Sequence, residues 1–249
     1  MYKTLLNPKY NNLKTFVDRI PEIFEDTGEV IYTGRNLIKV FDVDGLKVNV
    51  KRYAIPIFFN KIAYSFFRMP KGLRAYKYPY VLLDKGINTP EPIAYIEERK
   101  LGLIRHSYFI SIQSPYTSYL YEIGNLEVEE IEGLAKALAL FTSDMHKKGV
   151  YHKDYSPGNI LCGLEGGEPS FTLVDINRMR FGEVTLEEGC ANFARLWGQP
   201  SFFRYMAEVY AKDQNADVEY CTERIMHYRT KFWKSFSKRK KIKYNLKYE

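Results

Sequence analysis

The 249-residue sequence predicts an α+β fold of two lobes, a small β-rich lobe over residues 1–113 and a mostly helical lobe over 114–249. Three observations predict it. The first third is rich in alternating β-branched and aromatic residues around a tight-turn dipeptide. From Val128 the apolar residues switch to helical spacing, and a polar loop followed by two short apolar runs sits just inside that helical part. The length suffices for two small lobes with real cores. A content of 45% hydrophobic and 27% charged residues is ordinary for a globular protein.

Each element has its own signal. The stretch "LIKVFDVDGLKVNVKRYAI" is β-rich on both sides of Asp44-Gly45, a dipeptide suited to the left-handed positions of a hairpin turn. Side chains alternate along a strand, so Leu46, Val48 and Val50 are expected to face one way and Lys47, Asn49 and Lys51 the other. A helix is predicted around residues 71–86, with Pro79 near its start or kinking it, because proline has no N–H to donate. "TPEPIAYIEE" and "LGLIRHSYFISIQ" read as two further strands and "SPYTS" as a break. From Val128 to Lys148, Ile131, Leu134, Leu138, Phe141 and Met145 predict a long amphipathic helix that ends at Lys147-Lys148-Gly149. Two apolar runs, "NILCG" and "FTLVDI", then flank a Gly-rich turn at 163–169, and the chain reads as mostly helical from about Leu186.

The net charge of +7 is concentrated at one end. Residues 229–249 hold nine of the 37 Lys/Arg and one of the 30 acidic residues, so this stretch carries +8 and everything before it −1. Such a tail suits an anionic membrane surface, where each basic residue contributes about 1 kcal/mol, and equally a solvated helix end. Nothing resembles a nucleic-acid recognition module, so no nucleic-acid partner is expected. Cys162, Cys190 and Cys221 lie far apart without metal-ligand spacing, which argues against a zinc site or disulfide framework and fits a reducing compartment. The segment "MYKTLLNPKYNN" has no apolar leader core, and no run approaches about 20 apolar residues. A cytoplasmic protein, at most peripheral at a membrane, is the expectation.

The chemistry lies in "YHKDYSPGNILCG", residues 151–163. Ser-Pro-Gly-Asn alone is turn chemistry; the flanks decide between a turn and a functional loop. A long helix precedes the loop, and an apolar strand ending in "FTLVDIN" delivers Asp175 after it. His-x-Asp-x-x-x-x-Asn followed by a strand-borne Asp is the catalytic arrangement of kinases. Asp154 can accept the proton of an attacking hydroxyl. Asn159 and Asp175 offer the hard oxygens suited to Mg²⁺ on nucleotide phosphates. His152 is expected to brace the loop, and His146 to be structural. Upstream, Lys51 on the polar face of its strand matches the lysine that holds the α- and β-phosphates of ATP. Backbone amides near Gly34 in "YTGRN", with Arg35 assisting, are the candidate phosphate cover.

Several features depart from protein kinases. Lys153 stands where they carry Arg, Ile176-Asn177 stands in place of Phe-Gly, and no Ala-Pro-Glu closes an activation segment. "SPGNIL" resembles the loop of small-molecule kinases such as the aminoglycoside and choline kinases. Together, "RNLIKVF", "VKRY", "NKIAYSFFR", "KGINTPEPIAYIE", "HKDYSPGNIL" and "VDINRMRF" resemble the lipopolysaccharide kinase family over roughly residues 28–197. The resemblance implies a protein-kinase-like fold and ATP- and Mg²⁺-dependent transfer of the γ-phosphate to a sugar hydroxyl. The implied acceptor is Kdo or heptose of the lipid A-core glycolipid, at the cytoplasmic face of the inner membrane of a Gram-negative bacterium. Two departures from that pattern stand out. The helix segment "KGLRAYKYPYVLLDKG" has no Glu to pair with Lys51, and the phosphate-covering turn has Gly34 alone. A Ser/Thr protein kinase and a catalytically degraded, nucleotide-binding scaffold stay open as alternatives.

Overall fold

Alternating apolar and polar residues build the first half of the chain into a six-stranded antiparallel sheet. Its strands are β1 (Tyr2–Leu6), β2 (Glu29–Thr33), β3 (Leu37–Val43), β4 (Leu46–Tyr53), β5 (Pro92–Lys100) and β6 (Leu103–Ile112), in the order β1-β5-β6-β4-β3-β2. The structure is a computed structural model that describes residues 1–56, 63–116, 119–242 and 246–248. Residues 60–62 of "NKIAYSFFR", Thr117-Ser118 of "SPYTS", and 243–245 and 249 of the basic stretch lie outside the described residues. Two compact units result, Met1–Ser114 and Pro115–Glu249.

In the first unit, Val43 pairs with Leu46 and leaves Asp44-Gly45 as a two-residue turn with φ of +53° and +79°. Both left-handed positions are filled by residue types that tolerate them, and the turn matches the strand twist. Val48 and Val50 are fully buried and Lys47 is exposed, as the alternation predicts. The core on this face is completed by a helix that the expectation of strands across the first third passes over. This is α1 (Lys14–Ile23), where Leu13, Val17, Ile20 and Phe24 recur at helical spacing. They pack with Val48, Val50, Tyr108 and Ile110 in one cluster. Past the end of α1, the buried Lys39 of β3 donates from Nζ to the carbonyl oxygens of Phe24 (2.6 Å), Glu25 (2.9 Å) and Thr27 (2.9 Å). Helix α2 (Lys71–Asp84) packs on β5 and β6 through Gly72, Ala75 and Tyr76. Pro79 is the ninth of its 14 residues and not near its start, so the helix forgoes the bond to the Ala75 carbonyl.

The second unit contains α3 (Glu132–Lys147), β7 (Val150–His152), β8 (Ile160–Glu165), β9 (Glu168–Leu173), β10 (Met179–Phe181), α4 (Leu186–Asn192), α5 (Pro200–Asp213) and α6 (Val218–Ser237). Helix α3 begins at Glu132, not Val128, because Glu127 and Glu130 close a capping box around a separate 3-10 turn. It ends before Gly149, whose φ of +68° takes the left-handed turn into β7. Strands β8 and β9 form a hairpin closed by Gly166-Gly167, while β7 pairs with β10. Helices α3, α5 and α6 pack in sequence around Leu138, Met145, Phe202, Phe203, Met206 and Ile225.

The basic stretch is not a free tail from its first residue. Residues 229–237 belong to α6, and Arg229 is fully buried, donating from Nη2 to the carbonyls of Gly198 and Lys247 (2.8 Å each). Trp233 is buried too and donates to the Leu196 carbonyl at 3.1 Å. Lys231, Lys234, Lys238, Arg239 and Lys240 remain exposed. Among the described residues no helix is long and apolar enough to cross a membrane.

Candidate active site

The loop between β7 and β8 is tied at both ends by hydrogen bonds of its own residues. His152, fully buried and opposite Met179 of β10, accepts the Asp154 N–H at Nδ1 (3.1 Å). Its Nε2 lies 3.2 Å from the Val174 carbonyl and therefore carries the ring proton and donates. Burial pushes the His152 pKa down, which holds this neutral tautomer. Asn159 donates from Nδ2 to the Asp154 carbonyl (2.8 Å), and its own carbonyl accepts the Val174 N–H (3.0 Å). Val174 is thus held on both sides, and the next residue, Asp175, is fixed against the loop. The second unit therefore brings together His152, Asp154, Asn159 and Asp175.

Asp175 lies two residues past the end of β9, not on the strand, and caps the 3-10 turn Ile176–Arg178. Its backbone is left-handed, with φ of 52° and ψ of 40°, a conformation Asp adopts more readily than bulkier residues. The exposed Asp175 carboxylate accepts a hydrogen bond from Asn177 Nδ2.

Behind the loop stands a buried polar chain. Asn192, at the end of α4, donates from Nδ2 to the His152 carbonyl (3.0 Å) and accepts at Oδ1 from His146 Nε2 (3.0 Å). His146 Nδ1 in turn accepts from the Tyr210 hydroxyl (3.0 Å). Burial lowers the His146 pKa to about 4, so the ring is neutral and structural, as expected. Thr142 of α3 and Tyr155 of the loop share a buried hydroxyl–hydroxyl bond of 2.7 Å.

Two residues that the sequence did not single out close on Asp154. Arg178 Nη1 donates to both carboxylate oxygens (3.0 and 2.8 Å), and Arg195 Nη1 donates to Oδ1 (2.6 Å). The Arg195 guanidinium also lies 5.5 Å from the Phe232 ring centroid. Arg178 stands three residues after Asp175, a faint local signal. Arg195 and Asn192 belong to no motif and become visible only when the region from Leu186 folds back on the loop.

Lys51 and Gly34 belong to the first unit. Lys51 sits in mid-sheet on β4, between Ile38 of β3 and Phe109 of β6, with Nζ 5.4 Å from the Tyr53 ring centroid. Gly34 lies in the β2–β3 turn and donates to the Asn36 carbonyl (3.2 Å); a Cβ there would come within 2.6 Å of the Tyr32 hydroxyl oxygen. Arg35 and Asn36 line a pocket with Tyr53, Lys71 and Ser107.

The donor set in the loop fits Mg²⁺. With its nitrogen spent on the Asp154 carbonyl, Asn159 has Oδ1 as its ligating atom, and Asp175, next in the chain to the Val174 whose N–H the Asn159 carbonyl accepts, adds a charged oxygen. Among the described residues no cluster of three or more His, Cys, Asp or Glu forms a metal site. An amide–carboxylate pair completed by phosphate oxygens is a different and sufficient arrangement.

The sequence model of the lipopolysaccharide kinase (Kdo/WaaP) family matches residues 28–197. No curated protein matches. Among solved structures the chain is similar to WaaP in complex with acyl carrier protein, with a TM-score of 0.58 and 15% identity, over 95% of this chain and 98% of that one. A MAP kinase from Leishmania major aligns with a TM-score of 0.42 and 16% identity, over 84% of this chain and 65% of that one.

Proposed function

This chain belongs to the lipopolysaccharide kinase (Kdo/WaaP) family and is a phosphotransferase, and we propose that it moves the γ-phosphate of ATP to a sugar hydroxyl, Kdo or heptose, of the lipid A-core glycolipid. The observation that carries this reading is the hydrogen-bonded loop in which His152 and Asn159 hold Asp154 beside Asp175. Asp154 accepts the proton of the acceptor hydroxyl as that oxygen attacks phosphorus. His152, neutral and buried, fixes the backbone on which Asp154 stands. Asn159 Oδ1 and the Asp175 carboxylate would hold Mg²⁺, which when bound neutralises charge on the nucleotide phosphates. On the β-rich unit, Lys51 holds the α- and β-phosphates and amides near Gly34 cover them. Positioning and charge neutralisation supply most of the acceleration.

The exposed cations of α6 and the residues after it suit an anionic inner-membrane surface, where a lipid-linked acceptor is presented. Binding to vesicles containing anionic lipid, weakening as salt rises, tests that part. WaaP is seen in complex with acyl carrier protein; co-purification of this chain with its host's acyl carrier protein tests for the same partnership.

The central experiment is transfer of labelled γ-phosphate, with Mg²⁺, into a Gram-negative membrane extract that is then split into glycolipid, protein and small-molecule fractions. Label in glycolipid that Asp154→Ala lowers by at least about 10³-fold is the expected outcome. Label in protein would replace the sugar acceptor with a protein one. Normal transfer by Asp154→Ala would remove Asp154 as the base.

A further inference from the structure

Asp154 offers one negative charge to two guanidiniums. The backbone of the loop is already fixed by His152, Asn159, Asn192 and the main-chain carbonyl of Arg178, which accepts the Lys153 N–H at 3.2 Å, without either guanidinium. Both arginine side chains are about half exposed, at 52% and 41%, whereas that of Asp154 is 20% exposed. Ion pairs this open to water add little to stability, so holding the fold is a poor account of a doubled clamp. The two cations come from separate elements, the 3-10 turn after Asp175 and the 3-10 turn after α4. Phe232 flanks the Arg195 guanidinium. Together they place two guanidiniums on the one carboxylate that must meet the acceptor hydroxyl.

A guanidinium fork matches the planar oxygens of a carboxylate or the oxygens of a phosphate. A hydroxyl within hydrogen-bond reach of Asp154 brings its own neighbouring substituents within reach of Arg178 and Arg195. We propose that Arg178 and Arg195 bind an oxyanion of the acceptor, a sugar carboxylate or phosphate, and that Asp154 occupies them while no acceptor is present. Acceptor binding then exchanges one anion for another at the guanidiniums and releases the Asp154 carboxylate toward the hydroxyl. This inference rests on Asp154 being the base.

The test is calorimetric titration of the full chain, without nucleotide, using Kdo, inorganic phosphate and, as the uncharged control, glucose. Kdo or phosphate is expected to bind and glucose not; which of the two anions binds separates a carboxylate site from a phosphate site. Arg178→Gln and Arg195→Gln should each weaken the anion at least tenfold, and Arg195→Lys, which keeps charge without the fork, should weaken it less. Asp154→Ala should tighten it several-fold, because the internal competitor is gone; a purely structural pairing predicts no such gain. With glycolipid extract, Arg195→Gln should raise the apparent KM more than it lowers kcat. The proposal is overturned if neither anion binds the unaltered chain, or if the arginine variants and Asp154→Ala leave binding unchanged. Anion binding that Asp154→Ala tightens, alongside no transfer to glycolipid by the unaltered chain, keeps the clamp and removes the kinase role of Asp154.

Discussion

Beyond the last turn of α1, the carbonyls of Phe24, Glu25 and Thr27 turn inward, and the ammonium of Lys39 serves all three. Lys39→Met keeps most of the aliphatic stem and removes every donor. Unfolding in urea should show a loss of about 2–3 kcal/mol, because buried carbonyls are left unpaired. At His152 the expected outcome concerns rate. His152→Ala should lower kcat for phosphate transfer by about 10²-fold, since a displacement near 1 Å at the reacting group costs that much, with the KM for ATP changed far less. A kcat within twofold of the unaltered enzyme would show that the loop holds without its buried ring. His152, Asp154 and Asn159 were legible in the sequence because their spacing is confined to one short loop. Asn192, Arg178 and Arg195 were not, because they reach the loop through tertiary folding that no local pattern encodes.

Helix α4 shows how a short element is fixed by its first turn. Thr185 accepts the Glu188 N–H at 3.3 Å, and the Glu188 carboxylate accepts the Thr185 N–H at 3.1 Å, a reciprocal capping box. The same Glu188 oxygen accepts from Arg180 Nη2 of β10 at 2.7 Å, so one carboxylate joins the helix start to the strand paired with β7, beside the proposed catalytic loop. Thr185→Ala should cost about 1 kcal/mol in chemical denaturation. Glu188→Ala should cost more, because it also leaves Arg180 without that acceptor. Element by element, the sequence spoke most clearly where the turn chemistry was strict, as at Asp44-Gly45. It was misleading at α1, where Leu13, Val17, Ile20 and Phe24 keep helical spacing although Pro21 stands among them; at Pro79 the position near a helix start was not borne out, and the buried ring lies within α2.

Over the whole molecule, buried neutral histidines make stability depend on pH. The His146 pKa falls from an ordinary value near 6.5 to about 4 through burial between Tyr210 and Asn192, and that of His152 shifts the same way. Below about pH 6.5 the unfolded chain takes up protons that the native state refuses. The contribution is therefore complete above pH 6.5 and declines as pH falls toward 4, by about 3 kcal/mol for His146 alone. Urea midpoints at pH 7.5, 5.5 and 4 should fall in that order, and His146→Gln should flatten the decline. The asymmetry of charge was legible from composition, yet composition could not reveal that Arg229 and Trp233 lie on the buried face of α6. Charge alone does not report which way a helical side chain points.

Lys39, 5% exposed with its ammonium beneath the end of α1, also serves as a clock. Amine-reactive reagents modify exposed lysines at rates set by the reagent, whereas Lys39 reacts only in the fraction of time that the segment Phe24–Thr27 has lifted off β3. Its labelling rate, divided by that of a fully exposed lysine, reads the opening equilibrium of a single corner of the β-rich unit. Followed by peptide mass spectrometry in the native state, the ratio would show whether this corner loosens before the sheet unfolds.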